Sequence, residues 1–368
     1  MRERRSDRGP KARGTVTNRS GRFERFQIVP EDDGWTADDP EAPSPPTTLT
    51  RDATRTIISR NDSPDIPFDR SINPYRGCEH GCVYCYARPT HAYLGLSPGL
   101  DFETRLFFKP EAAALLRAEL RRPAYRCQPM ALGTNTDPYQ PVEGRLRITR
   151  GILEVLRDHR HPVTIVTKSH QVVRDLDVLV PMARLGLARV SISITTMDRA
   201  LARRLEPRAP TPQRRMQAIE ALSRAGVPAG VMVAPVIPAL TDHEMERILE
   251  ACAKAGAGHA GFVLLRLPLE LGELFTEWLE RHHPLRARHV LAAVRETRDG
   301  RINVAEFGKR MRGSGPGAQL LSRRFDVACR RLGLARETRP LDTTLFHVPE
   351  DPTSEDPQGR LFDAEPRD

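Results

Sequence analysis

The sequence predicts an α/β protein built on a partial (β/α)6 TIM-like barrel, with a disordered N-terminal tail and a helical, basic C-terminal extension. Short apolar or β-branched runs alternate with amphipathic stretches of helical period. Continuous apolar strands favour a parallel sheet covered by helices. Because the alternation is regular and shows no evident reversal, it favours a barrel over a doubly wound open sheet. In such barrels the reactive groups lie at the C-terminal ends of the strands.

The predicted strands follow one another in order along the chain. One precedes Cys78, and the others span 129–134, 163–169, 189–196, 229–236 and 260–267. Helical candidates lie between them, and several end in glycine immediately before the next strand. The prediction is therefore a run of six βα units.

The domain boundaries follow from changes in composition. Residues 1–65 are rich in Arg, Asp, Pro, Ser and Thr and poor in periodic apolar residues, so we expect them to be largely disordered, with the last part wrapping the core. The core barrel should span 66–275, the helical extension 276–347, and a disordered tail 348–368.

Charge and hydropathy limit the class of protein. The net charge of +9 suits a polyanionic partner such as nucleic acid. No apolar run is long enough to cross a bilayer, and the first residues lack the apolar region of a secretory signal. We therefore expect a cytoplasmic protein with no membrane partner.

Three of the six cysteines lie in one short stretch, NPYRGCEHGCVYCYAR, with the spacing C-x3-C-x2-C. In a reducing compartment, clustered cysteines indicate a metal or redox site, and the scattered Cys127, Cys252 and Cys329 are most simply core thiols. Neighbouring glycines allow the tight turns by which a loop wraps one inorganic centre. A structural zinc site would need four ligands, and no fourth has a natural spacing, although His80 lies inside the loop. Three ligands leave one position open.

With Tyr84 just before the last cysteine, and at the start of a βα barrel, this motif resembles that of the radical S-adenosylmethionine (radical SAM) superfamily. The resemblance implies a [4Fe-4S] cluster held by Cys78, Cys82 and Cys85. It also implies that S-adenosylmethionine binds the fourth iron and is cleaved reductively, giving a radical that abstracts a substrate hydrogen. An electron donor of flavodoxin or ferredoxin type would then be a partner.

The resemblance further implies that polar groups at the ends of the second to fifth strands bind S-adenosylmethionine. The candidates are Thr134, Thr136 and Asp137 for the methionyl amino group, Lys168 for the carboxylate, Ser193 or Thr195 for the ribose, and the backbone near Ala234 and Pro235, with Tyr84, for the adenine. Glu206 and Arg208 form a further candidate pair near the fourth strand. The alternative is that Ser, Thr and Asp at these positions only cap the next helix.

Residues 71 to about 270 resemble the branch that includes spore photoproduct lyase and proteins labelled DNA repair photolyase. The strings LGTNTDPYQPVE, TKS, LEPRAP and APVIPALTD carry this resemblance. It implies action on a nucleic acid lesion or modified nucleotide; the alternatives are a protein side chain, a small molecule, or a non-enzymatic metal-bearing nucleic-acid-binding module. The sequence departs from these lyases at the end of the second strand, where Thr134 or Asn135 replaces a hydrogen-donating cysteine.

Two C-terminal features predict partners. Lys309, Arg310 and Arg312 lie near several glycines and are followed by arginines at helical spacing, a pattern that suits nucleic acid phosphates or an ordinary solvated surface. In the tail, QGRLF resembles the Q-x-x-L-F peptide that docks on the DNA sliding clamp. The predicted anchors are Gln358, Leu361 and Phe362.

Overall fold

The structure, a computed structural model, describes residues 13–24 and 45–350. Its strands are β1 Thr48–Arg51, β2 Ile58–Arg60, β3 Arg70–Ile72, β4 Tyr75–Arg76, β5 Arg105–Phe108, β6 Met130–Leu132, β7 Val163–Thr167, β8 Ala188–Ser193, β9 Ala229–Val236 and β10 His259–Leu264. Its α-helices are α1 Asp101–Thr104, α2 Ala112–Leu120, α3 Glu143–Leu146, α4 Ile148–Asp158, α5 Leu176–Arg184, α6 Arg199–Leu205, α7 Pro212–Arg224, α8 Met245–Lys254, α9 Leu271–His282, α10 Pro284–Glu296 and α11 Gly315–Leu332. The 3-10 helices are Arg88–Leu94, His170–Asp175 and Asp242–Glu244.

The main sheet has the strand order β10-β9-β8-β7-β6-β3-β2. From β3 to β10 all neighbours are parallel, and β2 lies antiparallel to β3 at one edge. Because each parallel strand is followed by a helical crossover, the C-terminal ends of these strands meet at one mouth. The predicted run of six βα units in a partial barrel is confirmed.

The N-terminal region departs from the prediction of disorder. A smaller sheet pairs β1 with β5 in parallel and β5 with β4 antiparallel. Residues 13–24, which we call the N-terminal strap, run from Glu103 toward α9: the backbone N–H groups of Gly14 and Thr15 donate to the Glu103 carboxylate at 2.8 and 3.0 Å. Residues 13–24 and 45–65 are thus held by contacts with residues far along the chain, and for 45–65 this agrees with the expected wrapping of the core.

The helices pack on the sheet through apolar side chains at helical spacing. Helix α4 buries Ile152, Leu153 and Leu156 completely. Helix α11 buries Phe325, whose ring centroid lies 4.7 Å from that of Phe262 on β10. Full burial of each such side chain contributes about 1.5–3 kcal/mol to stability. The C-terminal helix is therefore part of the core.

Cys252 on α8 and Cys329 on α11 are buried core thiols, as predicted, whereas Cys127 is only partly buried. A second apolar cluster joins α9 and α10 to the cysteine-rich stretch, and it contains Phe275, Trp278, Val83 and Tyr84. The predicted domain boundary at residue 275 thus falls inside α9. None of the helices in the described residues is both long enough and apolar enough to span a membrane.

Candidate active site

Cys78, Cys82 and Cys85 lie in one loop, residues 77–86, which we call the cysteine loop; it connects β4 to the 3-10 helix Arg88–Leu94. The thiols are free, those of Cys78 and Cys82 are buried, and that of Cys85 is partly buried. The backbone turns tightly, since Gly81 N–H donates to the Cys78 carbonyl and Cys85 N–H to the Cys82 carbonyl. All three thiols therefore belong to one short, tightly turned loop.

Glycine is required at the turn of this loop. Gly81 has φ +65°, and a Cβ there would lie 2.6 Å from the Glu103 carboxylate. On its other side, a Cβ on Gly14 of the strap would lie 1.7 Å from the Gly81 carbonyl oxygen. The cysteine loop is thus confined between Glu103 and the strap.

A buried ion pair between Arg88 and Glu103 supports the cysteine loop. The sequence analysis did not identify this pair. The Arg88 guanidinium is completely buried, donates to the Cys82 carbonyl at 2.8 Å and pairs with Glu103 Oε1 at 2.5 Å. The sequence offered one signal, an arginine three residues after Cys85. Its partner Glu103 is 15 residues further along the chain, a spacing that neither helical nor strand periodicity predicts.

The chemistry of the three thiols fits an inorganic centre. The pKa of Cys78 is raised well above its usual value by burial first, then by the Asp137 carboxylate and by the Cys82 and Cys85 thiols. Three thiolates this close repel one another unless positive charge lies between them, which an iron-sulfur cluster supplies. Among the described residues, no group of three or more His, Cys, Asp and Glu side chains is arranged around a single metal ion, so the fit rests on the three thiols as a donor set.

An ionic network lies at the ends of β7 and β8. Lys168 Nζ donates to Ser193 Oγ at 2.8 Å, stands 3.7 Å from Glu206 Oε1 and lies 5.7 Å from the centroid of the Tyr84 ring. The Thr195 hydroxyl donates to Glu206 Oε1 at 2.8 Å, and the Tyr84 hydroxyl lies 3.0 Å from Thr195 Oγ1 and donates to Glu206. The structure therefore brings Tyr84, Lys168, Ser193 and Thr195 together.

Glu206 is the centre of this network. Arg215 on α7 is 1% exposed and donates to Glu206 Oε2. Burial raises the pKa of Glu206, but the charges of Arg215 and Lys168 and the hydrogen bonds from Arg215 and Tyr84 outweigh it and lower the pKa to about 2. Glu206 is thus ionised, and it holds one cation on each side.

Asp137 connects the cysteine loop to the end of β7. Its carboxylate accepts from the Thr167 hydroxyl at 2.6 Å and from the Lys168 backbone N–H at 2.7 Å, and it lies 3.3 Å from His80 Nδ1. Burial raises the pKa of Asp137, but His80 and these donors lower it to about 2. Asp137 therefore fixes the backbone that presents the Lys168 side chain.

The other predicted residues after β6 make local contacts. The Thr136 hydroxyl is buried and donates to the Tyr75 carbonyl at 3.1 Å. The Thr134 hydroxyl lies 3.4 Å from Asn73 Oδ1, at the limit of a hydrogen bond. These contacts brace the turn after β6 against the chain that enters the cysteine loop.

Arg208 and Pro235 occupy different positions. Arg208 Nη2 pairs with Glu79 of the cysteine loop at 3.1 Å. Pro235 lies on β9 directly after Ala234, whose carbonyl accepts from the hydroxyls of Ser193 at 3.0 Å and Thr195 at 3.1 Å. The backbone before Pro235 is therefore part of the Lys168 network, whereas Arg208 braces the cysteine loop.

Tyr86 is a candidate that the sequence analysis missed. It follows Cys85 directly, is 47% exposed and donates its hydroxyl to the Thr134 carbonyl. The Arg266 guanidinium, at the end of β10, lies 5.5 Å from the centroid of the Tyr86 ring. The signal available in the sequence was the position of Tyr86 directly after Cys85, a predicted cluster ligand.

The predicted basic C-terminal segment is partly neutralised within the chain. Arg310 pairs with Asp65, and Lys309 pairs with Glu306 at 3.1 Å. The nearby Gly313 serves packing, since with φ +77° a Cβ there would lie 2.7 Å from the Thr297 carbonyl. The arginines of this region that remain exposed are Arg312, Arg323, Arg330 and Arg331. The predicted tail anchors Gln358, Leu361 and Phe362 lie outside the described residues.

Comparison with known proteins finds a family match over the central part of the chain. The family profile described as the radical SAM superfamily matches residues 72–252. An uncharacterized protein of Mycobacterium tuberculosis is 43% identical over 221 residues, which is 60% of this chain and 65% of that protein. An uncharacterized protein of Methanocaldococcus jannaschii is 28% identical over 174 residues, covering 47% of this chain and 62% of that protein. The chain thus matches just under two thirds of these relatives' length.

Solved structures of spore photoproduct lyase share the fold. The lyase complexed with dinucleoside spore photoproduct has a TM-score of 0.55 at 18% identity and covers 78% of this chain and 81% of that chain. A mutant of the lyase with bound AdoMet and the same dinucleoside has a TM-score of 0.55 at 17% identity, covering 78% and 80%. Residues 72–252 thus match the radical SAM superfamily, and the chain has a fold like that of spore photoproduct lyase.

Proposed function

We propose that this protein is a radical SAM enzyme that abstracts a hydrogen atom from a nucleic acid lesion or a modified nucleotide. One observation carries the proposal: Tyr84, between Cys82 and Cys85, connects a loop of three free thiols to the Lys168 network through Glu206 and Thr195. When bound, a [4Fe-4S] cluster supplies the electron that cleaves S-adenosylmethionine to methionine and a 5'-deoxyadenosyl radical, which takes the substrate hydrogen.

In this proposal the side chains of the protein bind and orient the cluster and S-adenosylmethionine, and they exclude water from the site. Cys78, Cys82 and Cys85 would hold the cluster in a loop confined between Gly14 and Glu103, with two of the three thiols buried from solvent. Lys168 pairs with the carboxylate of S-adenosylmethionine. Its charge is available because Glu206 is shared with Arg215.

The remaining predicted contacts stay part of the proposal. Ser193 and Thr195 offer hydroxyls to the ribose, and the Ala234 carbonyl, which both of them contact, lies next to the Pro235 backbone proposed for the adenine. Asp137 positions Lys168 through its backbone N–H. The methionyl amino group is left to the turn after β6, where Thr134 and Thr136 lie.

Nucleic acid as the substrate class rests on two observations. The chain carries a net charge of +9, and solved structures with this fold hold a dinucleoside spore photoproduct. Repair of that same lesion is not proposed, because β6 is followed by Gly133, Thr134 and Asn135, which carry no thiol. Cys127 precedes β6 and so lies at the other end of that strand.

The proposal is tested by anaerobic reconstitution with iron and sulfide, followed by addition of S-adenosylmethionine and dithionite. We expect an iron-sulfur absorption spectrum and release of 5'-deoxyadenosine, both lost in Cys78→Ala, Cys82→Ala and Cys85→Ala. Cys127→Ala is the matched control and should retain both. Colourless wild-type protein that holds zinc tightly, or full activity in one of the three variants, would overturn the proposal.

The substrate is tested separately. Deuterated DNA or RNA oligonucleotides that carry lesions or modified bases are incubated with the reconstituted protein, and 5'-deoxyadenosine is analysed by mass spectrometry. Deuterium in 5'-deoxyadenosine is expected with a nucleic acid substrate. Transfer only from a deuterated protein extract or small-molecule pool would contradict this part of the proposal while leaving the radical chemistry intact.

A further inference from the structure

A basic groove lies beside the cysteine loop, between the N-terminal strap, α6 and the end of α9. Its volume is about 410 Å³, and it is lined by Arg13, Arg203, Arg204, Arg281 and His282 together with strap backbone and Pro207. Among the described residues that line it, none is acidic. A groove of this composition favours an anionic partner.

The wall of this groove touches the cysteine loop. Gly14, which lines the groove, packs so closely that a Cβ on it would lie 1.7 Å from the Gly81 carbonyl oxygen. Pro207, also in the lining, has its Cγ 3.3 Å from the position of a Cβ on Gly81. Gly81 stands between Cys78 and Cys82, so the groove approaches the loop next to two of its thiols.

The basic surface continues across α6. A second cavity of about 380 Å³ shares Arg204 and adds Arg247 and Arg286. Its two acidic residues are engaged by the chain itself: Asp198 caps α6 by accepting from Ala200 N–H at 2.7 Å, and Glu244 accepts from Met197 N–H at 2.9 Å. Three guanidinium groups against two carboxylates leave this second cavity with a net charge of +1.

Two consecutive histidines line these cavities, His282 the first and His283 the second, and their pKa values respond to this charge. Burial first, and then the Arg281 and Arg204 guanidinium groups, lower the pKa of His282 to about 4. Burial, Arg204 and Arg286 likewise lower the pKa of His283, with Asp198 acting in the opposite direction. Leu201 and Leu240 also line the second cavity and give it an apolar component.

We propose that this surface, centred on Arg203 and Arg204, docks the small acidic one-electron carrier protein that reduces the cluster. The inference rests on the proposed function, which requires one electron for each cleavage of S-adenosylmethionine. The reduced carrier loses one electron and the cluster gains it, with no bond made or broken. Electron-transfer encounters bury little surface and depend on complementary charge, and a basic surface that also contains Leu201 and Leu240 offers both charge and apolar contact.

The position favours a carrier over a nucleic acid. Guanidinium groups also bind phosphates, but a nucleic acid substrate has to reach the Lys168 network at the strand ends, where the radical would form. The groove instead meets the cysteine loop at the backbone of Gly81, through Gly14 and Pro207. A protein seated there lies next to the electron acceptor without obstructing the strand ends.

The test compares the double variant Arg203→Glu/Arg204→Glu with the matched control Arg117→Glu/Arg122→Glu. Both pairs are exposed, and the control pair lies at the end of α2, near the start of β6, away from the cysteine loop. Binding of a purified bacterial flavodoxin to the reconstituted protein is measured by calorimetry at low and at high salt. Release of 5'-deoxyadenosine is measured with the reduced flavodoxin and, separately, with dithionite.

We expect Arg203→Glu/Arg204→Glu to weaken flavodoxin binding and flavodoxin-driven release at least tenfold, and dithionite-driven release to stay at the wild-type level. Wild-type binding should weaken with salt, and the control variant should behave as wild type. The inference is overturned if the variant binds flavodoxin as tightly as wild type does. It is also overturned if the variant keeps flavodoxin binding and instead loses binding to duplex DNA in the same calorimetric measurement. Failure of wild-type protein to cleave S-adenosylmethionine even with dithionite overturns the proposed function itself.

Discussion

Lys168 and Glu206 face each other at the mouth of the partial barrel, with Lys168 Nζ 3.7 Å from Glu206 Oε1. The other carboxylate oxygen of Glu206 accepts from the buried Arg215. One carboxylate thus serves two cations, and the group of three carries one net positive charge. That surplus charge, held next to the cysteine loop, suits the carboxylate of an amino acid cofactor.

The first prediction concerns Lys168→Met. Losing a charged hydrogen-bond donor costs about 1.5–3 kcal/mol, so the affinity for S-adenosylmethionine should fall about 10- to 100-fold. Iron content should change little, because Lys168 makes no hydrogen bond to the cysteine loop and meets it only as a cation near the Tyr84 ring. Anaerobic equilibrium dialysis with labelled cofactor measures the affinity, and Lys254→Met, on the surface of α8, is the control. Unchanged affinity in Lys168→Met would remove Lys168 from the site.

The second prediction concerns the stability of the apoprotein in Glu206→Gln. The substitution leaves the buried Arg215 guanidinium without its charged partner, which costs about 3–5 kcal/mol at pH 7. The control is Glu250→Gln, which removes only the exposed pair with Lys254 and should leave the free energy of unfolding nearly unchanged. Urea unfolding followed by circular dichroism measures both variants.

The difference in free energy of unfolding between wild type and Glu206→Gln should also depend on pH. The pKa of Glu206 is about 2 in the folded protein, below its ordinary value of 4.5. Its stabilisation is therefore fully present above pH 4.5 and is lost as the pH falls from 4.5 toward 2. The difference between wild type and Glu206→Gln should narrow over that interval, and a difference that stays constant would contradict an ionised Glu206.

The parts of the site that the sequence predicted are those with local signals. The cysteines are recognised by their spacing, and Lys168 because it ends an apolar strand. Arg215 gave no such signal, because in the run PQRRMQ it resembles a solvent-facing helix charge although it is 1% exposed. Its role depends on the packing of α7 against β8, which only the tertiary fold determines.

The N-terminal strap could not be predicted for a similar reason. Its sequence is polar, and composition alone indicates disorder. Its order depends on the Glu103 carboxylate, which accepts from the backbone N–H groups of Gly14 and Thr15 across almost 90 residues. Every residue except proline has a backbone N–H donor, so no residue type in the sequence predicts this contact.

The third prediction concerns Gly14→Ala. The added Cβ would meet the Gly81 carbonyl oxygen at 1.7 Å, so the strap must move away from the cysteine loop. We expect faster limited proteolysis within residues 13–24 and a lower yield of reconstituted cluster. Gly258→Ala is the control, since the nearest atom to its Cβ lies 4.0 Å away. Wild-type proteolysis and cluster yield in Gly14→Ala would show that the strap does not support the loop.

The fourth prediction concerns the tail at residues 358–362, which lies outside the described residues. A short peptide that presents a glutamine and two apolar anchors has the form of a groove-binding ligand. We expect a peptide of residues 351–368 to bind a bacterial DNA sliding clamp in calorimetry, and the full-length protein to bind with similar affinity. Leu361→Ala/Phe362→Ala should abolish binding, whereas Arg360→Ala, between the anchors, should preserve it. Absence of binding by the wild-type peptide would remove the clamp as a partner and leave the radical chemistry unaffected.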